Sequence, residues 1–232
     1  MSLGRSMKPP TIIEHDGIFV VRDDYLPGGT KSRVLPRFLV GADEFVYATP
    51  AYGYAQVALS ITAKSMGKRA TIFVAKRNEL HTRTRAAYSF GAKIVQIPYG
   101  YLSNVQAKAK AYCEATGAKL MPFGLDFPEF IHSLADVAIG LNIKPAEVWT
   151  VAGSGVLTRA LQIAWPKSSF HAVQIGSFPK AGVATIHKAP EKFEQDAAIK
   201  PPFPSCSNYD AKAWQFIRRH AKPGALFWNV AA

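Results

Sequence analysis

Thr150-Val151-Ala152-Gly153-Ser154-Gly155-Val156-Leu157-Thr158 passes from an apolar, β-branched run through two glycines straight into a helical pattern. A strand that feeds a helix through a tight turn is the repeating step of a parallel α/β protein. The step recurs outward along the chain. Strand-like runs lie at 18–22, 44–48, 70–75, 93–97, 119–123, 148–152, 170–175 and 225–229, and helical patterns at 54–66, 79–90, 104–115, 129–141, 156–164 and 209–220. Gly67, Gly91 and Gly117 each stand just past a helical pattern, where a left-handed residue ends a helix. The alternation predicts an α/β fold with mostly parallel sheets covered by helices on both faces. One region breaks the rhythm: 177–208 holds Pro179, Pro190, Pro201, Pro202 and Pro204, with few apolar positions in register. It reads as a long irregular segment, either a substrate lid or a vestige.

The chain has 232 residues, 48% of them hydrophobic, so it builds a core and intrinsic disorder is excluded. No apolar run approaches the roughly 18 residues that span a bilayer, and residues 1–10 lack a signal-like apolar stretch. Met1–Ser6 reads as a leader, with Met7 as the natural start. Cys113 and Cys206 are too few for a disulfide scaffold or a four-cysteine zinc site, and read as reduced thiols of a cytoplasmic protein. The six histidines show no metal-ligand spacing, and the four tryptophans read as core or interface residues. With 28 Lys+Arg against 16 Asp+Glu the net charge is +12. Eight of those bases lie between Lys64 and Lys93, with Glu79 the only acid. They form either solvated helix faces or a patch facing a polyanion.

Ligands bind open α/β sheets at the carboxyl ends of strands, so the loops that follow strands carry the chemistry. Gly153-Ser154-Gly155 lets backbone approach a ligand closely; the first helical N–H groups, with hydroxyls from Ser154 and Thr158, suit an anion. A plain tight turn reads nearly as well. A methyltransferase reading wants an acid at the end of the next strand, and 170–176 has none. A second loop, Tyr25-Leu26-Pro27-Gly28-Gly29-Thr30-Lys31-Ser32-Arg33, follows a short strand and is read as opening an apolar helix. A lysine on the first turn of such a helix is desolvated and near the positive dipole end, and both effects favour a free amine. The bland alternative is a surface lysine. A third strand-to-helix loop is Thr49-Pro50-Ala51-Tyr52-Gly53-Tyr54-Ala55-Gln56.

In order and spacing these three loops resemble the fold type II (tryptophan synthase β-like) pyridoxal-phosphate enzymes. The nearest likeness is to the branch of 1-aminocyclopropane-1-carboxylate deaminase and D-cysteine desulfhydrase. Arg22-Asp23-Asp24 through Gly28-Gly29-Thr30-Lys31-Ser32-Arg33 is similar to that branch's "R-D-D/E … G-G-N-K-x-R" segment. Residues 55–76 and 86–96 resemble its next two βα units, Gly153-Ser154-Gly155 its phosphate loop, and Leu226-Phe227-Trp228-Asn229 its closing strand. The likeness spans most of the chain outside 177–208.

The resemblance implies two three-layer α/β lobes, a larger one from 7–43 and 128–232 and a smaller one inserted at 44–127. It implies pyridoxal 5'-phosphate as cofactor, Lys31 as the residue that carries it and shuttles a proton at Cα, and a homodimer. Gly153, Ser154, Gly155, Val156, Leu157 and Thr158 would hold the phosphate through backbone N–H groups, with Gly53, Tyr54 and Asn229 also against the cofactor. Thr49, Tyr52, Gln56 and Tyr209 would meet the substrate, an amino acid group.

Three positions depart from the family pattern. Gly53 stands where an asparagine is usual, Val230 where a Thr or Ser meets the pyridine nitrogen, and Phe203 where a tyrosine is expected, with Tyr209 as its substitute. The expected activity is elimination, deamination or decarboxylation at Cα. Small enzymes of the resembled kind act in phage pathways on amino acid groups attached to DNA; with the charge and the short chain, the resemblance thus implies an amino-acid-modified nucleotide in phage-type DNA as substrate, contacted through the basic 64–93 region. The other reading is a non-catalytic protein of this fold that serves as a basic nucleic-acid-binding or assembly module.

Overall fold

The computed structural model describes residues 8–98 and 100–232, so the expectation about Met1–Ser6 and Met7 lies outside the described residues. In chain order the strands are β1 (Ile12–His15), β2 (Ile18–Arg22), β3 (Glu44–Ala48), β4 (Arg69–Ala75), β5 (Lys93–Ile97), β6 (Lys119–Leu120), β7 (Glu147–Ala152), β8 (Ser169–Gln174), β9 (Thr185–Lys188) and β10 (Leu226–Asn229). The helices are α1 (Ala55–Ser65), α2 (Thr82–Ser89), α3 (Leu102–Thr116), α4 (Pro128–Ile139), α5 (Val156–Ala164) and α6 (Trp214–His220). Gly67, Gly91 and Gly117 all take positive φ past the ends of α1, α2 and α3, as their places in the sequence predict.

The chain divides into two units, one of the residues up to Arg33 with Phe127–Ala232, the other Val34–Asp126. The first holds a six-stranded sheet ordered β1-β2-β10-β7-β8-β9, parallel except for the β1–β2 hairpin. Every residue of β7 is buried, because both faces of the sheet are covered. Trp149 and Val151 point into a core shared with Ile18, Val20, Phe203, Trp214 of α6 and Phe227. On the opposite face Thr150 meets Thr158 of α5, and Ala152 packs with Ala172 and Ala181. The second unit is a parallel sheet ordered β5-β4-β3-β6. Val46, Ala48 and Phe73 pack on Val105 and Ala109 of α3. The Glu44 carboxylate accepts from Thr71 (2.6 Å) and the Tyr112 hydroxyl (2.8 Å), which ties β3 to β4 and α3.

Several expectations need correction. The stretch 34–43, read with the larger lobe, groups with the second unit, where Leu35–Arg37 packs on α1. β1 was missed, although Asp16-Gly17 (φ 52° and 76°) is the dipeptide that turns a tight hairpin. The 177–208 segment is not irregular throughout. It supplies β9 to the sheet edge and buries Ala181, Ala189, Ala197, Phe203 and Cys206. Its prolines lie outside β9, so they do not interrupt the ladder. The helix read from 79 starts at Thr82, where the His81 ring accepts from the Arg83 N–H (3.2 Å). The helix read at 209–220 opens as a 3-10 turn, Asp210–Ala213, before α6.

A column of rings ties β9 to its neighbours. Trp149 of β7 stacks on His171 of β8 (4.3 Å between centroids) and on His187 of β9 (4.9 Å). The His171 Nδ1 and His187 Nε2 atoms share one hydrogen bond (3.0 Å). From α6, Phe216 and His220 also lie against His187. Burial holds both imidazoles below the ordinary histidine range. His220 pushes both the same way, His171 adds to the effect at His187, and at His171 Lys222 adds to it while Glu147 opposes. Histidines that resist protonation when folded but titrate near 6.5 when unfolded add stability above about pH 6.5. That stability is lost as pH falls from there through the lower folded values. Melting scans from pH 7.5 to 5 should therefore show a falling Tm with faster amide exchange across Thr185–Lys188. His187→Gln, which hydrogen-bonds without titrating, should flatten the dependence; an equally steep fall in that variant would place the titration elsewhere.

Candidate functional site

Gly28 and Gly29 have φ of +86° and +66°, a conformation that favours glycine. A Cβ at Gly29 would run into the Val230 carbonyl, which itself accepts the Thr30 N–H (3.0 Å). The two glycines thus let the next turn lie directly on the end of β10. That turn, Thr30–Arg33, is a 3-10 turn and not the start of an α-helix. The apolar residues after it also form only a short turn, Leu35–Arg37, with Pro36 inside it. The helix-dipole argument for Lys31 therefore fails, and burial is what remains.

One neighbour of Lys31, Arg33, is pinned to a buried carboxylate, and another, Thr30, to the indole that carboxylate also holds. Asp23, fully buried, accepts through Oδ1 from Arg33 Nε (2.7 Å) and Nη2 (2.6 Å). Its Oδ2 accepts from the Trp228 indole N–H (3.1 Å), which also reaches the Thr30 hydroxyl (3.0 Å). Lys31 itself is half-buried and lines a narrow cavity, bordered also by Ser154, Val156, Tyr209 and Val230. Desolvation lowers its pKa from the ordinary lysine value, and the charge of Asp210 opposes that shift. Asp210 was missed in the sequence. It is fully buried and accepts the Ala231 N–H (3.2 Å), and its place beside the candidate Tyr209 was the only signal.

The phosphate-loop candidate forms as its sequence suggests. Gly155 (φ +83°) caps α5, and a Cβ there would collide with the Lys180 carbonyl. The first N–H groups of α5, from Val156, Leu157 and Thr158, have no acceptor within the helix. Gly153 donates its N–H to the Tyr209 hydroxyl (2.8 Å), leaving the phenol proton to donate in turn. Burial drives the Tyr209 pKa well up, so the phenol stays protonated.

Two candidates are corrected in part. The Thr158 hydroxyl is fully buried and paired with Thr150 (2.8 Å), so only its backbone N–H faces the loop. Asn229 is also fully buried, with its polar atoms committed to Asp24 (2.8 Å), Pro204 O (2.8 Å) and Ser205 (2.8 Å); it braces the scaffold. Phe203 lies among Arg22, Trp214 and Phe227, so Tyr209 is the aromatic hydroxyl at the cavity.

Thr49, Tyr52, Gly53, Tyr54 and Gln56 all belong to the second unit, in the loop after β3 and the start of α1. Gln56 is fully buried and staples that loop by donating to Ala51 O and Gly53 O (both 2.9 Å). Thr49 donates to Pro50 O (3.0 Å), and a Cβ at Gly53 would press on the Thr49 hydroxyl. Arg77 lies over the Tyr52 ring (4.9 Å) and Arg83 over the Tyr54 ring (4.7 Å), so two guanidinium groups of the basic stretch rest on this loop.

No protein-family model matches the sequence, and no curated protein matches it. Solved structures do. A crystal structure of an ACC deaminase homologue superposes with a TM-score of 0.76 over 92% of this chain and 84% of that one, at 13% identity. Threonine deaminase isoform 2 from Solanum lycopersicum, in its processed form, gives 0.69 over 93% and 74%, at 13% identity. Escherichia coli diaminopropionate ammonia lyase in apo form gives 0.67 over 99% and 84%, again at 13% identity. At such identities the likeness is one of fold: this chain has the mostly parallel α/β architecture of the fold type II pyridoxal-phosphate enzymes.

Proposed function

We propose that the chain is a pyridoxal-phosphate-dependent enzyme acting at the Cα of an amino acid group, by elimination, deamination or decarboxylation. One observation carries the reading. The first unit sets an amine of lowered pKa, a glycine-bounded helix start and a protonated phenol around one cavity. These residues fit the cofactor: the Gly155 cradle has no room for a side chain, and the first α5 N–H groups lack acceptors within the helix. When bound, the cofactor supplies an electron sink for charge developing at Cα. Lys31 holds it and moves the Cα proton. The N–H groups from Ser154 to Thr158 bind its phosphate, while that of Gly153 holds Tyr209. Tyr209, which keeps its phenol proton, would meet the substrate as a hydrogen-bond donor. For Thr49, Tyr52, Gly53 and Tyr54, in the second unit, the roles are those the resemblance implies, while Gln56, buried and bonded to Ala51 O and Gly53 O, shapes their loop. A homodimer and a cytoplasmic location belong to the same reading. Among the described residues no helix is long and apolar enough to cross a membrane.

The substrate proposed is an amino acid group borne on a nucleotide of phage-type DNA. Residues 34–126 carry twelve Lys+Arg against five Asp+Glu, a surplus of seven. Lys68 and Arg69 are paired with Asp43 and Glu44; Lys64, Lys76, Arg77 and Arg85 stand exposed beyond them. Such a surplus supports a polyanionic partner held in a salt-dependent way.

Purified protein mixed with pyridoxal phosphate should develop a near-visible absorption band that Lys31→Ala does not. No band in either would leave the non-catalytic reading, with the basic stretch as the place to look. DNA binding should weaken by roughly tenfold or more between 50 and 200 mM salt, the behaviour of a few neutralised phosphates. Arg77→Ala with Arg85→Ala should shallow that slope. Absence of binding even at low salt would remove DNA as the partner.

A further inference from the structure

We propose that Asp23 is a positioning residue for Lys31, fixing through Arg33 on one side and Trp228 with Thr30 on the other where the lysine leaves its turn. The inference rests on the reading of Lys31 as the cofactor-bearing amine and adds a residue to that site.

The backbone around Lys31 has little rigidity of its own. Two glycines of positive φ precede the turn, and the turn is four residues of 3-10 structure with no α-helix behind it. Ser32 steadies the turn locally by donating its hydroxyl to Gly29 O (2.7 Å). What holds it to the sheet is the Thr30 N–H on Val230 O and the two side chains that flank Lys31. Thr30 Oγ1, one residue before, and the Arg33 guanidinium, two residues after, converge on Asp23 and the indole N–H of Trp228. Arg33 also donates Nη1 to Lys8 O (2.7 Å), so its guanidinium is held from both sides. Asp23 does not act on the amine by charge. Its charge is matched by Arg33 at 2.6 Å, and the influences on Lys31 are burial and Asp210. Its effect is one of place: with the bracket intact the amine stays in its desolvated recess, and with the bracket cut the turn swings toward water.

The test uses the full chain without added cofactor. Acetic anhydride labelling, read lysine by lysine by mass spectrometry from pH 7 to 11, gives the titration midpoint of Lys31 against exposed Lys64 and Lys144. Thr30→Val removes the hydroxyl that shares the indole N–H, Thr30→Ser keeps it, and Trp228→Phe removes the N–H while keeping an aromatic body. Circular dichroism confirms that each variant is folded. In Thr30→Val and Trp228→Phe the Lys31 midpoint should rise by roughly half a pH unit or more toward the ordinary lysine value, as a group regaining solvent does. Thr30→Ser should restore the wild-type midpoint. A purely structural bracket would lower Tm and leave the midpoint in place. Asp23→Asn, which keeps the shape and gives up the charge paired with Arg33, should move the midpoint the same way; an unmoved midpoint in folded Asp23→Asn, or, should that variant not fold, in folded Thr30→Val, overturns the proposal. Should Asp23→Asn and Trp228→Phe not fold, the Thr30→Val and Thr30→Ser pair decides. Because labelling needs no cofactor, a moved midpoint supports Asp23 even where the absorption band fails to form, so the two readings fail separately.

Discussion

A carboxylate cut off from water organises the lysine-bearing end of the first unit. Asp23 answers Arg33 with one oxygen and the indole of Trp228 with the other, and both partners are buried with it. Removing one partner of so buried a pair typically costs about 3–5 kcal/mol, a large share of the stability of any domain. Well-packed apolar residues in the same space would often be no less stable. What they would lack is direction: hydrogen bonds at fixed angles hold a glycine-led turn on the end of β10, and dispersion contacts do not.

The two loops that build the cavity solve the same packing problem in the same way. Gly29 and Gly155 both have positive φ, and each has a backbone carbonyl where its side chain would be, Val230 O and Lys180 O. Both follow parallel strands at their carboxyl ends, β2 and β7, where the helices and turns that follow leave a crevice. Segments distant in sequence thereby close on the loops: the chain after β10 on one, the 177–184 stretch on the other. Gln162 of α5 fastens that stretch by donating to Ala181 O (2.9 Å). Tyr209 then bridges toward the cradle through Gly153, which also gives Asp210 its place near Lys31.

Strongly patterned elements were legible in the sequence. The runs at 18–22, 44–48 and 93–97 are β2, β3 and β5, and 156–164 is α5, because apolar alternation and bounding glycines agree there. The turns at Gly28–Gly29 and Gly155 were legible for a related reason, since glycine patterns report backbone geometry directly, whereas Lys31 was singled out by the family resemblance and by spacing alone reads as a surface lysine. Legibility ended where short polar-looking stretches take their structure from neighbours. β9 is four residues, Thr-Ile-His-Lys, made a strand by β8 and by the Trp149 ring over His187. The turn at Thr30–Arg33 reads in the sequence as the start of a helix and is a 3-10 turn, with Arg33 held by Asp23 and Thr30 by the Trp228 indole.

The sequence by itself determined the α/β class, the βα order and the glycines that let backbone segments approach closely, since these follow from local periodicity and from the steric freedom of a missing Cβ. Only the tertiary structure decided what each polar side chain is for. Thr158 and Asn229 read as ligand contacts and are spent on Thr150 and on Asp24, Pro204 and Ser205, while Asp23, noted only as part of a motif, bonds Arg33 and Trp228, and the unremarked Asp210 acts by its charge on Lys31. A hydrogen bond is assigned by distance and burial, and both arise only when strands far apart in the chain are laid side by side.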